Sequence, residues 1–451
     1  MAASVFESPL YHRLFGAGEV GRLFTDAAEL RAMLLVEGAL ARAQGALGLI
    51  PETAAAFIHR SAMEVQIDPA ALAQATGQNG VPVPALVAAF RKAMEAPEYA
   101  QYLHWGATSQ DIIDTALMLR LRQWLMLLEA DLDTALAHLA AQAKTHAHTP
   151  MAARTYGQYA TPTSFGAVVA GWGQPLMALR GEMAGLRALL CVSLSGAAGT
   201  SAALGPKAPQ IRAHMAQSLG LADPGDSWHS NRGRIQTIAA WATRLATACG
   251  KMAEDLLVLS RSDVAEVALG GTGGSSTMPQ KQNPVAPSAV VALAHQAVAL
   301  NGVLQGAGLH REARDGAAWF AEWLCLPQLC LGAASALRHT AQLAESVAPQ
   351  PVQMHAALAQ GLGLIHAEAL SFRLAETMPR PAAQDAVKAL CQSAMASQTP
   401  LAQLAQAAHP EIKLDDIFDP AQQMGQAPEI ALRFAQTATG GAPQNAPQGT
   451  Q

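Results

Sequence analysis

Four short polar stretches hold the side chains of this sequence best suited to chemistry. The most distinctive is Gly270 to Ser288, which reads Gly-Gly-Thr-Gly-Gly-Ser-Ser-Thr-Met-Pro-Gln-Lys-Gln-Asn-Pro-Val-Ala-Pro-Ser. Glycines open backbone conformations closed to other residues, so such a loop can close over a ligand. Glycines alone read more readily as an ordinary flexible linker. A linker, however, has no need of Ser275, Ser276, Lys281 and Asn283 in fixed order around Met278-Pro279. The other stretches are His104-Trp105-Gly106-Ala107-Thr108-Ser109-Gln110-Asp111, Arg154 to Ser164 with Tyr156 and Gln158, and His310 to Gly316 with Arg311 and Arg314. They offer cations, hydroxyls and amides, and no metal-ligand spacing.

That set suits a substrate with several carboxylates, since guanidinium groups pair carboxylates bidentately. Chemistry beside a carboxylate builds charge onto it as an enediolate, which preorganised donors stabilise. Ser275 can exchange a proton there if loop N–H groups and Lys281 hold its oxyanion and closure excludes water. It lacks a Gly-x-Ser-x-Gly frame, so acyl transfer is not expected. Ser276 and His104 remain open to purely structural roles. Thr108 and Ser109, with Asp111 three or two positions on, are open to helix capping alone.

Long elements must position these groups. Ile113, Leu117, Leu121, Trp124, Leu128, Leu132, Ala135 and Leu139 step by three or four, which predicts one helix to about Thr149, roughly 55 Å long. A helix of that length with an apolar stripe needs long partners, so a bundle is expected. Hydrophobic residues make up 51% of the 451 and aromatics only 5%, so Ala, Leu and Val dominate and the fold class expected is all-α. Helices are expected at Phe24–Leu47, from near Ser164 past Arg187, and at 227–268 and 285–308. Thr76 to Pro84 reads as a loop with little helical capacity, and no strand-rich region is seen. The expected division is an N-terminal helical domain over 1–107, a long-helix domain over 108–350 and a C-terminal helical domain over 351–439. Residues 440–451 have no periodicity and are expected to be disordered. Long antiparallel helices hold their polar ends far apart, and an oligomer gathers them. A homotetramer with composite sites is therefore expected.

The net charge of -5 makes no electrostatic case for nucleic acid. No uninterrupted apolar run of bilayer length and no charged leader is seen, so no membrane partner is expected. Cys191, Cys249, Cys325, Cys330 and Cys391 are odd in number and scattered, which reads as reduced thiols and a cytoplasmic protein.

The four stretches together resemble the fumarase/aspartase superfamily over nearly the whole chain. Gly-Ser-Ser-Thr-Met-Pro-Gln-Lys-Gln-Asn-Pro at 274–284 is similar to its signature loop, His104–Asp111 to its first conserved region and Arg154–Ser164 to its second. The resemblance implies a helical homotetramer with each site built from three subunits, and β-elimination or its reverse on a carboxylate. It places Ser275 at the catalytic acid/base position and Thr108, Ser109, Gln158, Lys281 and Asn283 at substrate-binding positions. Arg154, Ser276 and Arg314 join that set, His104 is expected to position substrate or assist proton transfer, and Tyr156 to donate a hydrogen bond. No cofactor or metal is implied.

Two departures bear on the reaction. The fumarate-releasing lyases usually pair a histidine in the second region with a glutamate five residues after the loop asparagine. Here Tyr156 and Ser288 stand at those positions. A C–N lyase must protonate a poor leaving group, whereas a carboxylate that adds to a double bond needs no such acid. The branch with this pattern, and with Arg-Asp-Gly-x-x-Trp-x-x-Glu-Trp at 314–323, resembles the bacterial 3-carboxy-cis,cis-muconate cycloisomerases of the protocatechuate (β-ketoadipate) route, which form 4-carboxymuconolactone. A C–N lyase of the adenylosuccinate or argininosuccinate type is the alternative, and a catalytically silent helical scaffold a third reading.

Overall fold

The computed structural model describes residues 4–439 except Thr272, Ser275, Ser276 and Pro279. The expected tail at 440–451 and the two loop serines thus lie outside the described residues. The chain groups into two compact units, each drawn from three separate stretches: Met1–Asp131, Leu179–Thr247 and Ala292–Leu337 in one, and Leu132–Ala178, Ala248–Val291 and Arg338–Gln451 in the other.

In the first unit, α1 (Asp26–Ala46) starts where the Thr25 hydroxyl accepts from the Ala28 N–H at 3.2 Å. It lies against α2 (Glu52–Glu64) at close range. A Cβ on Gly38 would stand 2.8 Å from that of Ala62, and one on Gly45 2.3 Å from that of Ala55. Thr76 to Pro84 departs from expectation, because α3 (Ala73–Asn79) runs through its first half and α4 (Val83–Ala93) begins in its second. Only Gly80, at φ +71°, and its neighbours turn the chain; Pro82 caps α4 and Pro84 sits in its first turn, where a missing N–H costs nothing.

Next comes α5 (Ser109–Thr145), and every residue of the predicted stripe is buried. Trp124 of α5 and Trp241 of α7 (Gly233–Leu259) meet edge to face at 5.9 Å, both fully buried. Their indole N–H groups donate to the Cys330 and Leu179 carbonyls at 3.2 Å. Such rings carry a large apolar area into the core only when the N–H is met.

The second unit holds the clearest departure. Arg154 to Ser164 is no loose connection: β1 (Pro150–Thr155) and β2 (Gln158–Ser164) form an antiparallel hairpin. Tyr156 and Gly157 make its turn at φ +52° and +73°, the left-handed pair that suits a two-residue hairpin. A register break between Ala152 and Arg154 spoils the alternation by which a strand is read. The following helix, α6 (Phe165–Gly181), stops at Gly181, and a separate one covers Met183–Leu189. β3 (Val267–Ala268) ends the region expected to be helical to 268 and pairs with Ala348–Pro349. Around the glycine loop, β4 (Gly273–Gly274) pairs with β5 (Gln282–Asn283). Short C-terminal helices bury Leu370, Leu374, Val387 and Leu401 together.

Two helices, α8 (Val285–Gly306) and α9 (Gly316–Ser346), have the length and mean hydropathy, 1.3, of a membrane span, which the sequence reading did not expect. For α9, 67% of that window is buried inside the protein, as in a core helix; for α8 the share is 39%.

Candidate active site

The start of α5 is organised by one buried carboxylate. Asp111 accepts from the Thr108 N–H at 3.0 Å, the capping contact expected from sequence. It also accepts from the Ser193 hydroxyl at 3.0 Å, the Ser195 and Gly196 N–H groups at 2.9 Å and His229 Nε2 at 2.8 Å. Burial alone would raise its pKa. The His229 bond and the backbone N–H donors outweigh that and hold it below the usual carboxylate range. The segment 193–196 is thereby fastened to the helix start. These partners lie more than 75 positions away in sequence, and no local pattern announces them.

Arg314 is the cation this frame presents. Its Nε donates to Gln110 Oε1 at 2.9 Å, and its Nη2 to Thr108 Oγ1 at 3.1 Å and the Ala197 carbonyl at 3.2 Å. All three acceptors are neutral, and among the described residues no carboxylate pairs with it. The other arginines nominated from sequence differ. Arg154 makes a bidentate ion pair with the fully buried Glu266 at 2.7 and 2.8 Å and lies over the Tyr159 ring. Arg311 is paired with Asp315. A guanidinium set among neutral dipoles keeps its charge for a ligand, while a neutralised one does not.

Behind Arg314 stands a buried network. Arg232, fully buried, bridges Asp114 at 2.7 and 3.1 Å and Glu322 at 2.8 and 2.6 Å, and lies 4.7 Å from the Trp228 ring centroid. Trp319 donates to Asp114 at 3.3 Å and packs on Trp323 with ring centroids 4.7 Å apart. Asp114 and Arg232 were not singled out from sequence, and Glu322 entered only as part of the pattern at 314–323. The i, i+3 spacing of Asp111 and Asp114 on an otherwise apolar helix face was the available signal. His104, at φ +61°, donates from Nδ1 to Glu37 Oε1 at 2.6 Å. Ser109 is the first residue of α5 and half-buried.

In the second unit, Tyr156 is fully exposed at the hairpin tip, and Gln158, also exposed, faces Thr155 across the turn. Lys281 is exposed, with its N–H bonded to the Met278 carbonyl at 3.0 Å. Asn283 lies opposite Gly273 in the β4–β5 pair. Ser288 hydrogen-bonds its own helix through the Pro284 carbonyl at 2.8 Å. The structure thus brings Thr108 and Arg314 into contact, places Lys281 and Asn283 on one short hairpin, and commits Arg154 to Glu266.

Comparison with known proteins agrees with this frame. Residues 17–299 match a family model described as Lyase. The chain is 38% identical to the 3-carboxy-cis,cis-muconate cycloisomerase of Pseudomonas aeruginosa, over 93% of this chain and 94% of that one. It is also 38% identical to a nitrosuccinate lyase of Streptomyces davaonensis, over 96% and 95%. The solved 3-carboxy-cis,cis-muconate lactonizing enzyme of Pseudomonas putida superposes with a TM-score of 0.91 at 35% identity, covering 96% of this chain and 99% of that one. With the helical frame and the motifs at its helix ends, these matches establish that the chain belongs to the lyase family of the fumarase/aspartase superfamily.

Proposed function

We propose that this protein is a cycloisomerase that converts 3-carboxy-cis,cis-muconate to 4-carboxymuconolactone. One carboxylate of the substrate adds to the conjugated double bond, forming the C–O bond of the lactone. The displaced π pair moves onto a second carboxylate as an enediolate, and a proton then delivered to carbon completes the addition. Ser275 is the proposed proton donor, and Lys281 and Asn283 of the β4–β5 hairpin are proposed to meet substrate charge. Arg314, Thr108 and Ser109 hold carboxylates at the start of α5, and His104 serves the same end. Gln158, Ser276 and Arg154 complete the substrate-binding set, Arg154 by holding the hairpin on Glu266. Tyr156 donates a hydrogen bond from the hairpin tip. The observation that carries the reading is Arg314, a guanidinium whose partners among the described residues are all neutral. The substrate's own conjugation carries the developing charge, so the proposal includes no cofactor.

We place these groups in a homotetramer, in the cytoplasm, with each site shared between subunits. Val298 and Val303 of α8, and Phe320 and Leu324 of α9, are 40–69% exposed on the single chain, a fit for burial between copies. A monomer by light scattering at micromolar concentration would remove this part of the proposal.

One other reaction fits the missing acid. A nitro group on succinate leaves as nitrite, a weak base that needs no proton, so Tyr156 and Ser288 are as compatible with that elimination as with lactonisation. Purified protein given each substrate separately decides between them. Lactone formation from 3-carboxymuconate without nitrite or fumarate from nitrosuccinate supports the cycloisomerase. Nitrite release with the muconate untouched overturns it.

A further inference from the structure

Glu37 sits in the middle of α1 between Val36 and Gly38, and its side chain is 1% exposed. A carboxylate there is costly unless its lone pairs are met. Oε1 accepts from His104 Nδ1 at 2.6 Å, while Oε2 is buried with no partner among the described residues. A half-satisfied pair is a poor device for stability, since apolar side chains of similar volume serve a core as well or better. Its geometry suits another purpose. Seven positions on, on the same face of α1, buried Gln44 donates from Nε2 to the Trp105 carbonyl at 2.6 Å. Helix α1 thus grips the 104–105 segment twice and holds His104 in the left-handed region that side chains avoid.

We propose that Glu37 is the positioning residue for His104: by holding Nδ1 it turns Nε2 outward, so that His104 binds a substrate carboxylate at the start of α5. The assignment rests on the polycarboxylate reading above. With Nδ1 committed to Glu37, Nε2 is the ring nitrogen free to meet a ligand. The charged groups acting on the ring are Glu37 from α1, Asp111 from α5 and Arg91 from α4. Burial lowers its proton affinity. Glu37, through charge and hydrogen bond, with Asp111 adding and Arg91 subtracting, more than offsets this and raises the pKa above the ordinary histidine value. The imidazolium persists below that raised pKa and is lost as pH climbs through it.

Nitrogen-15 NMR titration of His104 in the full-length protein tests this without any substrate. The wild-type ring is expected to carry its neutral-form proton on Nδ1 and to titrate above an ordinary histidine. In Glu37→Gln it titrates lower, and the basic limb of the kcat/KM profile moves to lower pH by the same interval. At pH below both limbs the variant recovers to within about threefold of wild type. An unmoved titration, or a loss of turnover equal at every pH, overturns the proposal. If Glu37→Gln does not fold, the wild-type ring decides: a neutral-form proton on Nε2, or titration at the ordinary value, overturns it. A shifted titration with no turnover on any polycarboxylate would sustain the Glu37–His104 positioning and refute the substrate reading.

Discussion

Replacing Arg314 by Met separates binding chemistry from structure. Arg314 donates to Gln110, Thr108 and Ala197, all neutral, and is only half-buried. Losing it leaves no buried charge behind, but Gln110 is fully buried and its Oε1 loses this donor. The expected stability cost is that of one unmet neutral acceptor, about 1–3 kcal/mol, which for a chain of this size is a Tm shift of about 1–3 °C. On the role proposed for Arg314, the same change removes a charge-assisted contact to an oxyanion that forms during reaction. A loss of that kind costs about 2.7–4 kcal/mol, a factor of about 10²–10³ in turnover. Arg314→Lys keeps the charge but cannot span Gln110 and Thr108 with one planar fork, so a smaller loss, about tenfold, is expected. Arg232→Met makes the contrast. It strands Asp114 and Glu322, at 1% and 2% exposure, and each broken buried pair costs about 3–5 kcal/mol. Steady-state kinetics on 3-carboxymuconate beside calorimetric Tm values read both quantities. Arg314→Met within about threefold of wild type would refute the role of this cation, as would a Tm drop matching that of Arg232→Met.

Arg154→Met should cost about 3–5 kcal/mol of stability by chemical denaturation, because it leaves fully buried Glu266 uncompensated; a change under 1 kcal/mol would show the pair to be dispensable. Burial pushes the Cys191 thiol up to about 11 and the Cys249 thiol up to about 12, so neither should react with a disulfide reagent at pH 8 until the protein unfolds. Fast modification of either in the native state would contradict that burial. Asp111 has a depressed pKa, so its contribution to stability is present above the ordinary carboxylate pKa and is lost as pH falls through the depressed one. Denaturation midpoints for wild type and Asp111→Asn should therefore converge in strong acid and diverge toward neutral pH; a constant gap would mean the charge is not what matters.

How much could be read from the residues depended on how far each signal reached along the chain. The stripe from Ile113 to Leu139 is a local, periodic signal, and all of it is buried in one continuous helix. Thr108 and Asp111 are three apart and make the capping contact that this spacing suggests. The hairpin at 150–164 escaped because its register shift breaks alternation and its turn places a tyrosine, not a glycine or asparagine, at the first left-handed position. Which arginine remains available was out of reach altogether. Arg154, Arg311 and Arg314 look alike in sequence, and what separates Arg154 from Arg314 is a glutamate 112 positions from Arg154. Glu37 carries no local signal of its role, which depends on a partner 67 positions away.

The two reactions compatible with the missing acid share their harder half. Addition of a carboxylate to a muconate and departure of nitrite from a nitrosuccinate both pass through charge held on a carboxylate, and a guanidinium whose partners among the described residues are neutral serves either. They differ in the other half, where a lactone oxygen must be brought onto carbon in one case and a small anion released in the other. Arg314 therefore supports the class of chemistry, while the choice within it falls to the shape of the pocket around the second carboxylate. A residue whose change altered the ratio of the two turnovers, without touching the pH profile set at His104, would belong to that pocket and not to the charge-holding frame.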